Sequence, residues 1–118
     1  MQNNSKELAL QIAKVLDSKK AADVVILDIS HLTIIADYFV IASGNTEIQV
    51  RALCDELLKS MREQGVEARA HEGYRHGRWV VVDYGDVIVH IFHREDRAFY
   101  NLERLWADSQ ILSVRGQN

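Results

Sequence analysis

Histidines, one cysteine and a set of aspartates beside apolar runs are the residues of this chain whose types could do chemistry. His90 and His93 invite a zinc reading, because imidazole nitrogens are common zinc ligands. They stand three apart in an apolar run of strand character, so their side chains point to opposite faces and cannot share an ion without a bulge. His71 and His76 flank a loop-like stretch, and Cys54 falls on a core-facing stripe. No ligand set closes, and no metal is expected. His90 is read instead as a partly buried, hydrogen-bonded residue, and His93 as the end of its strand.

Asp28, Asp37, Asp83 and Asp86 raise a second chemistry, magnesium-assisted phosphoryl or nucleotidyl transfer. That chemistry favours two acids at i and i+2 on one strand, where both face the same way. Here Ser30 follows Asp28 and Phe39 follows Asp37 at that spacing. Asp83-Tyr84-Gly85-Asp86 reads as a tight turn whose aspartates satisfy backbone donors. Ser43-Gly44-Asn45 precedes a helix start, where free N–H groups could hold an anion. It lacks the further glycines and the lysine of a phosphate-binding loop, so strand exit plus cap is the preferred reading. Neither Ser43 nor Cys54 has a base in a context that suggests a nucleophile. No catalytic residue and no cofactor is assigned.

Contact chemistry remains. On the strand Trp79–Asp83, Trp79, Val81 and Asp83 share one face, and Val80 and Val82 share the other. An indole beside a carboxylate suits a binding surface, since tryptophan is enriched among residues that dominate interfaces. A tryptophan capping the edge of a core is the other reading, and the pattern alone leaves both open. Turn carboxylates flanked by aromatic residues point to a binding module before an enzyme.

The elements that must position these residues follow from periodicity. Lys6–Lys20 predicts a helix with Leu8, Ile12, Val15 and Leu16 on one face and Lys19-Lys20 at its negative end. Val24–Ile29 and Tyr38–Ala42 predict strands covered on both faces, being continuously apolar. Val50, Leu53, Cys54, Leu57, Leu58 and Met61 form one helical stripe, opened by a capping box at Thr46 and Gln49 and closed at Gly65. A weak strand near Val66–His71, strands Arg78–Asp83 and Val87–His93, and a helix from about Asp96 to Trp106 complete the order. Phe99, Leu102, Leu105 and Trp106 are expected along one side of that last helix. Residues 109–118 lack pattern and are expected to fray.

The expected fold class is α/β: one mixed sheet of about five strands with three helices. The crossover helix between the second and third strands allows parallel pairing, and the Tyr84-Gly85 turn requires antiparallel pairing. The 118 residues are expected to form one domain, with no linker, repeat or low-complexity tract. Apolar residues make up 47% and charged residues 26%, ordinary for a soluble protein. No apolar run approaches the roughly 20 residues that span a bilayer. The opening MQNNSKELAL lacks the blocks of a signal peptide, and the lone Cys54 excludes an internal disulfide, so a cytoplasmic location is expected. A net charge of −3 disfavours broad direct binding to nucleic acid. The basic stretch Arg69–Arg78 is the local exception.

Taken together, the motifs resemble the RsfS/Iojap family of bacterial ribosomal silencing factors. Asp37-Tyr38-Phe39-Val40-Ile41, Ser43-Gly44-Asn45-Thr46 with Gln49-Val50, Glu72-Gly73, Trp79 and Asp83–His90 carry the resemblance, with Phe99–Glu103 and Leu105-Trp106. They run in order from about Ser5 to Asp108. The resemblance implies a nucleotidyltransferase-like fold without transfer activity. It implies binding to the large ribosomal subunit through its fourteenth protein, on the face that meets the small subunit, so that joining is blocked and translation falls when nutrients run short. Homodimers are also implied. Carried over by position, the contact candidates are Trp79, Asp83, Asp86 and His90 on the hairpin, and Tyr100 and Trp106 on the last helix. Thr46 stands where many members have serine, and either caps a helix. Arg75-His76-Gly77-Arg78 is more basic than is usual before the tryptophan, which suits added contacts to ribosomal RNA. The alternatives are a large-subunit assembly factor using the same contact, and an active nucleotidyltransferase-like enzyme.

Overall fold

A computed structural model of the chain describes residues 4–112. One six-stranded mixed sheet runs through it. Helix α1 (Ser5–Ser18) leads into strands β1 (Ala22–Asp28) and β2 (Tyr38–Gly44), then helix α2 (Glu47–Glu63). Strands β3 (Ala70–Glu72), β4 (Trp79–Asp83) and β5 (Val87–His93) follow, then short helices α3 (Arg94–Tyr100) and α4 (Leu102–Leu105) and strand β6 (Gln110–Leu112). The strand order is β3-β4-β5-β2-β1-β6. β2 and β5 are parallel, from Tyr38 opposite Val87 to Gly44 opposite His93; the other pairs are antiparallel. α2 thus provides the crossover, but the parallel partner is the third strand beyond it, because β3 and β4 first build outward and β5 returns to β2.

The two faces of the sheet differ. Tyr38, Val40, Ala42, Val80, Val82, Val87, Val89 and Ile91 pack under α1 and α2 in the main core. Phe39, Ile41, Leu27, Ile29 and Phe92 form a second cluster on the opposite face, closed by Leu102 and flanked by Trp79 and Trp106. All seven residues of β2 are buried, as its continuous apolar run predicts. β1 is less covered, with only Ile26 and Leu27 buried among its residues.

α2 starts and stops by chemistry that was legible in sequence. Thr46 Oγ1 accepts from the Gln49 N–H at 3.0 Å. The Gln49 side chain reaches back one residue further than a strict capping box, accepting from the Asn45 N–H at 2.7 Å. Gly65 takes φ +85°, and Val66 N–H returns to the Met61 carbonyl at 2.8 Å, a Schellman stop.

Two expectations need correction at the C-terminal end. The last helix is broken: Asn101 adopts a left-handed φ of 46°, so α3 ends and α4 starts in a new direction. Phe99 and Leu105 therefore do not share a face with buried Leu102; they are 80% and 73% exposed. The expected fraying also fails over 110–112. There β6 pairs with Ile26, Leu27 and Asp28 and covers the edge of β1, because β1 would otherwise present unpaired backbone groups. Residues 113–118 lie outside the described residues. The weak strand forms later than expected, at Ala70–Glu72. No helix among the described residues is long and apolar enough to cross a membrane.

Candidate functional site: an aromatic face on the open side of the sheet

Strand alternation and register assemble the site. Trp79 stands opposite Phe92, and Val81 opposite His90, so Trp79 and His90 are diagonal neighbours on the face away from α1 and α2. Trp79 stacks on Phe92 at 4.9 Å between centroids and meets Tyr100 at 4.7 Å with the planes tilted by 42°, while Phe92 and Tyr100 stand 6.4 Å from each other. Its indole Nε1–H donates to His90 Nδ1 at 3.1 Å. His90 meets Phe39 edge to face at 4.6 Å, and Phe39 meets Trp106 edge to face at 5.4 Å. Phe99 lies edge to face on Tyr100 at 5.0 Å. A continuous aromatic array thus runs from Trp106 through Phe39, His90 and Trp79 to Tyr100 and Phe99.

The array is graded from dry to wet. His90 is only 7% exposed, Trp79 and Trp106 are half-buried, and Tyr100 is 47% exposed. Burial pushes the His90 imidazole down to about 4, so it is neutral at ordinary pH. With Nδ1 accepting, the proton sits on Nε2, which is buried and finds no hydrogen-bond partner among the described residues. At the exposed end, Phe99, Tyr100 and Leu105 border a surface hollow of about 510 Å³ with Arg104 at its side.

Trp79 therefore falls between the two readings open in sequence. It is a ring of the second core by one face and a surface residue by the other. Substantial exposure in the free protein, which a pure contact residue would show, is absent because Phe92, Tyr100 and His90 pack against it. His90 and His93 do point apart: His93 Nδ1 caps α3, accepting from the Glu95 N–H at 3.2 Å.

The turn aspartates separate. Asp83 shares the Trp79 face, yet its Oδ1 accepts from the Gly85 N–H at 2.7 Å and so shapes the turn. It also borders a shallow hollow of about 200 Å³ with Val81, Glu72 and His71. Asp86 points elsewhere. It is exposed beside the start of α1, lining a hollow with Ser5, Leu8 and Gln11. Its carbonyl accepts from the N–H groups of Asp37 and Tyr38 at 2.8 and 3.1 Å, tying the hairpin to β2. Trp79, His90 and Tyr100 are thus brought together, Trp106 joins them through Phe39, and Asp86 does not.

Arginines hold the exposed half of the face, and sequence reasoning did not single out their role. α3 contains no fully buried residue. Arg78 Nη atoms reach Asp96 at 2.6 Å, Glu47 at 3.1 Å and Glu95 at 3.3 Å, joining the start of β4 to α2 and α3. Those three carboxylates raise its already high pKa further. Arg97 donates to Ser43 Oγ at 2.9 Å and to Glu103 at 2.6 Å, joining β2, α3 and α4. Its partners lie up to 75 positions away in sequence, so no local signal could have found it. Arg78, read in sequence as part of a basic patch, is instead committed within the fold; Arg75 and His76 remain exposed.

No three or more histidine, cysteine, aspartate or glutamate side chains among the described residues stand together as a metal site. Asp37 accepts from Ser5 Oγ at 2.9 Å and Asp28 from Ser30 Oγ at 2.7 Å. Cys54 is buried on the inner face of α2, its thiol pushed up to about 11 by desolvation, away from thiolate chemistry.

The sequence model of the family described as "Ribosomal silencing factor during starvation" matches residues 2–118. The chain belongs to the RsfS family. It is 45% identical over 113 residues to the ribosomal silencing factor RsfS of Halalkalibacterium halodurans, covering 96% of this chain and 97% of that protein. It is 41% identical over 111 residues to RsfS of Bacillus subtilis, covering 94% of each. Chloroplast Iojap of Zea mays is a more distant relative, 30% identical over 101 residues and matched over 44% of its own length. A crystal structure of a Bacillus halodurans protein shares the RsfS fold seen here, with a TM-score of 0.79 at 46% identity over 92% of this chain and 98% of that one. A Chromobacterium violaceum crystal structure gives 0.85 at 34% identity, covering 96% of this chain and 92% of that one.

Proposed function

We propose that this protein is a non-enzymatic, cytoplasmic repressor of translation that binds the large ribosomal subunit and blocks its joining to the small subunit. The observation that carries this reading is the match of residues 2–118 to a family described as silencing ribosomes during starvation. The partner surface is the aromatic face, with Trp79, Tyr100 and Trp106 as its core and exposed Phe99 and Leu105 as its outer edge. Large rings that are half-wet in the free protein and backed by a rigid sheet supply buried area with little ordering cost. The partner is the fourteenth protein of the large subunit. Asp83 supports the hairpin from the same face, and exposed Arg75, with His76 beside it, supplies a cation for ribosomal RNA. Asp86 sits away from the face and serves the turn. A homodimer through the same apolar edge would compete with this contact.

Co-sedimentation tests the reading. The protein should travel with isolated large subunits and be absent from small subunits and joined ribosomes, because a steric blocker competes with joining. Equal association with all three would sink the mechanism. A role in large-subunit assembly would instead show as precursor accumulation in growing cells that lack the protein, with unchanged polysomes on starvation.

A further inference from the structure

Resting on the proposed use of the aromatic face, we propose that His90 is a positioning residue: it fixes the indole of Trp79 for the partner and does not touch the partner itself. Phe92, stacked at 28°, and Tyr100, tilted at 42°, pack against the indole. Such packing tolerates a flip of the ring about its Cβ–Cγ bond, because the two faces of an indole are alike as stacking surfaces. A hydrogen bond is directional, so the 3.1 Å bond from Trp79 Nε1–H to His90 Nδ1 selects one edge and one orientation. His90 is itself immobilised, being 7% exposed and packed edge to face on Phe39. A residue so enclosed cannot contact a docked protein without rearrangement of the fold.

The second observation is a liability. The same tautomer that accepts from the indole buries an Nε2–H with no partner among the described residues, and an unmade buried donor destabilises the folded state. The surroundings are otherwise apolar: Phe39, Ile41 and Phe92 on the same face. Stability alone would favour an apolar side chain at this position. The imidazole is explained by the bond it makes, since it presents an acceptor at the depth of the indole edge. Trp79 would then meet the partner already oriented, and the affinity gain comes from freedom lost before docking.

The test uses the full chain with His90→Leu, His90→Asn and Trp79→Phe. Asparagine places Oδ1 near the position of Nδ1 and keeps the acceptor; leucine removes it. Proton–nitrogen spectra of the indole N–H groups are recorded on the free proteins, with Trp79→Phe assigning the signal. The Trp79 indole proton should lie downfield in the parent and in His90→Asn, and move upfield in His90→Leu. Binding to purified large subunits should weaken roughly tenfold in His90→Leu and stay within about threefold of the parent in His90→Asn. In the Trp79→Phe background, His90→Leu should change nothing. The melting temperature of His90→Leu should match or exceed that of the parent. Parental affinity in His90→Leu with a shifted indole signal would overturn the proposal, as would an unshifted signal. Equal weakening by both His90 variants would make His90 a contact, and a leucine variant too unstable to purify would make it purely structural. If the parent fails to bind large subunits, the partner reading falls, while the indole signal still decides whether His90 holds the ring.

Discussion

At the scale of single residues, the face is built from rings whose burial is partial by design of the register. Trp79 packs against Phe92 and Tyr100 and bonds His90, so its truncation acts on both stability and binding. Trp79→Ala should lower stability by about 2–3 kcal/mol, less than the roughly 3–5 of a fully buried ring. Affinity for large subunits should fall by on the order of 2–4 kcal/mol, at least about thirtyfold. Chemical denaturation and sedimentation of the same mutant separate the two effects. His90 supplies a pH signature. Its folded-state value is held near 4 by burial, below its ordinary 6.5. Between those values the unfolded chain binds the proton and the folded chain does not. The stability is therefore complete above pH 6.5 and lost as pH falls toward 4, by on the order of 3 kcal/mol in all. Between pH 7 and 4.5 the parent should lose about 2 kcal/mol more than His90→Leu in urea denaturation.

At the scale of elements, the β3–β4 connection and the α3–α4 pair set the geometry of the face by different means. Gly73 takes φ +85°, and a methyl there would stand 2.1 Å from the carbonyl oxygen of Trp79. Arg51 Nη1 donates to the Arg75 carbonyl at 3.2 Å and Tyr74 Oη to Asp55 at 3.0 Å, so the loop cannot swing away from α2 without losing both. Gly73→Ala should therefore lower stability by at least about 2 kcal/mol and displace the start of β4. Gly65 has the same φ with open space around it. Gly65→Ala should cost only the backbone term, about 1 kcal/mol, with binding unchanged. Thermal melts of the two variants side by side check the contrast. α3 depends instead on Arg78 and Arg97, because none of its residues is fully buried.

At the scale of the molecule, the sheet has one face sealed by α1 and α2 and one face that is only partly closed. The net charge is −3 and Arg78 is paired within the fold, while exposed Arg104 stands beside the outer hollow of the aromatic array. Binding led by apolar rings should depend weakly on salt. A plot of log affinity for large subunits against log salt should have a slope shallower than about −2, whereas neutralising several phosphates would give roughly −0.7 to −0.9 for each. A steep slope in sedimentation at rising salt would move the contact from the aromatic face toward Arg75 and His76.

Much of this protein is determined by local pattern. The stripe Val50–Met61, the cap at Thr46, the stop at Gly65 and the continuous run of β2 each carry their own periodicity or turn chemistry, so α2 and β2 could be read from neighbours within a few positions. The facing of Trp79 with Asp83, and of His90 against His93, followed from the two-residue repeat of a strand. What the tertiary structure alone decided was depth and partnership. Whether Trp79 is wet or dry depends on Tyr100, twenty-one positions away by number, and on the left-handed turn at Asn101 that sends α4 back over the sheet. Whether Arg78 is free depends on Glu47, Glu95 and Asp96, brought to it by two separate helices. Whether 110–112 frays depends on an open edge at β1, which exists only once the sheet has formed. Periodicity encodes which way a side chain points, because backbone geometry repeats locally. Its exposure is set by what covers it, and the covering residues arrive from elsewhere in the chain.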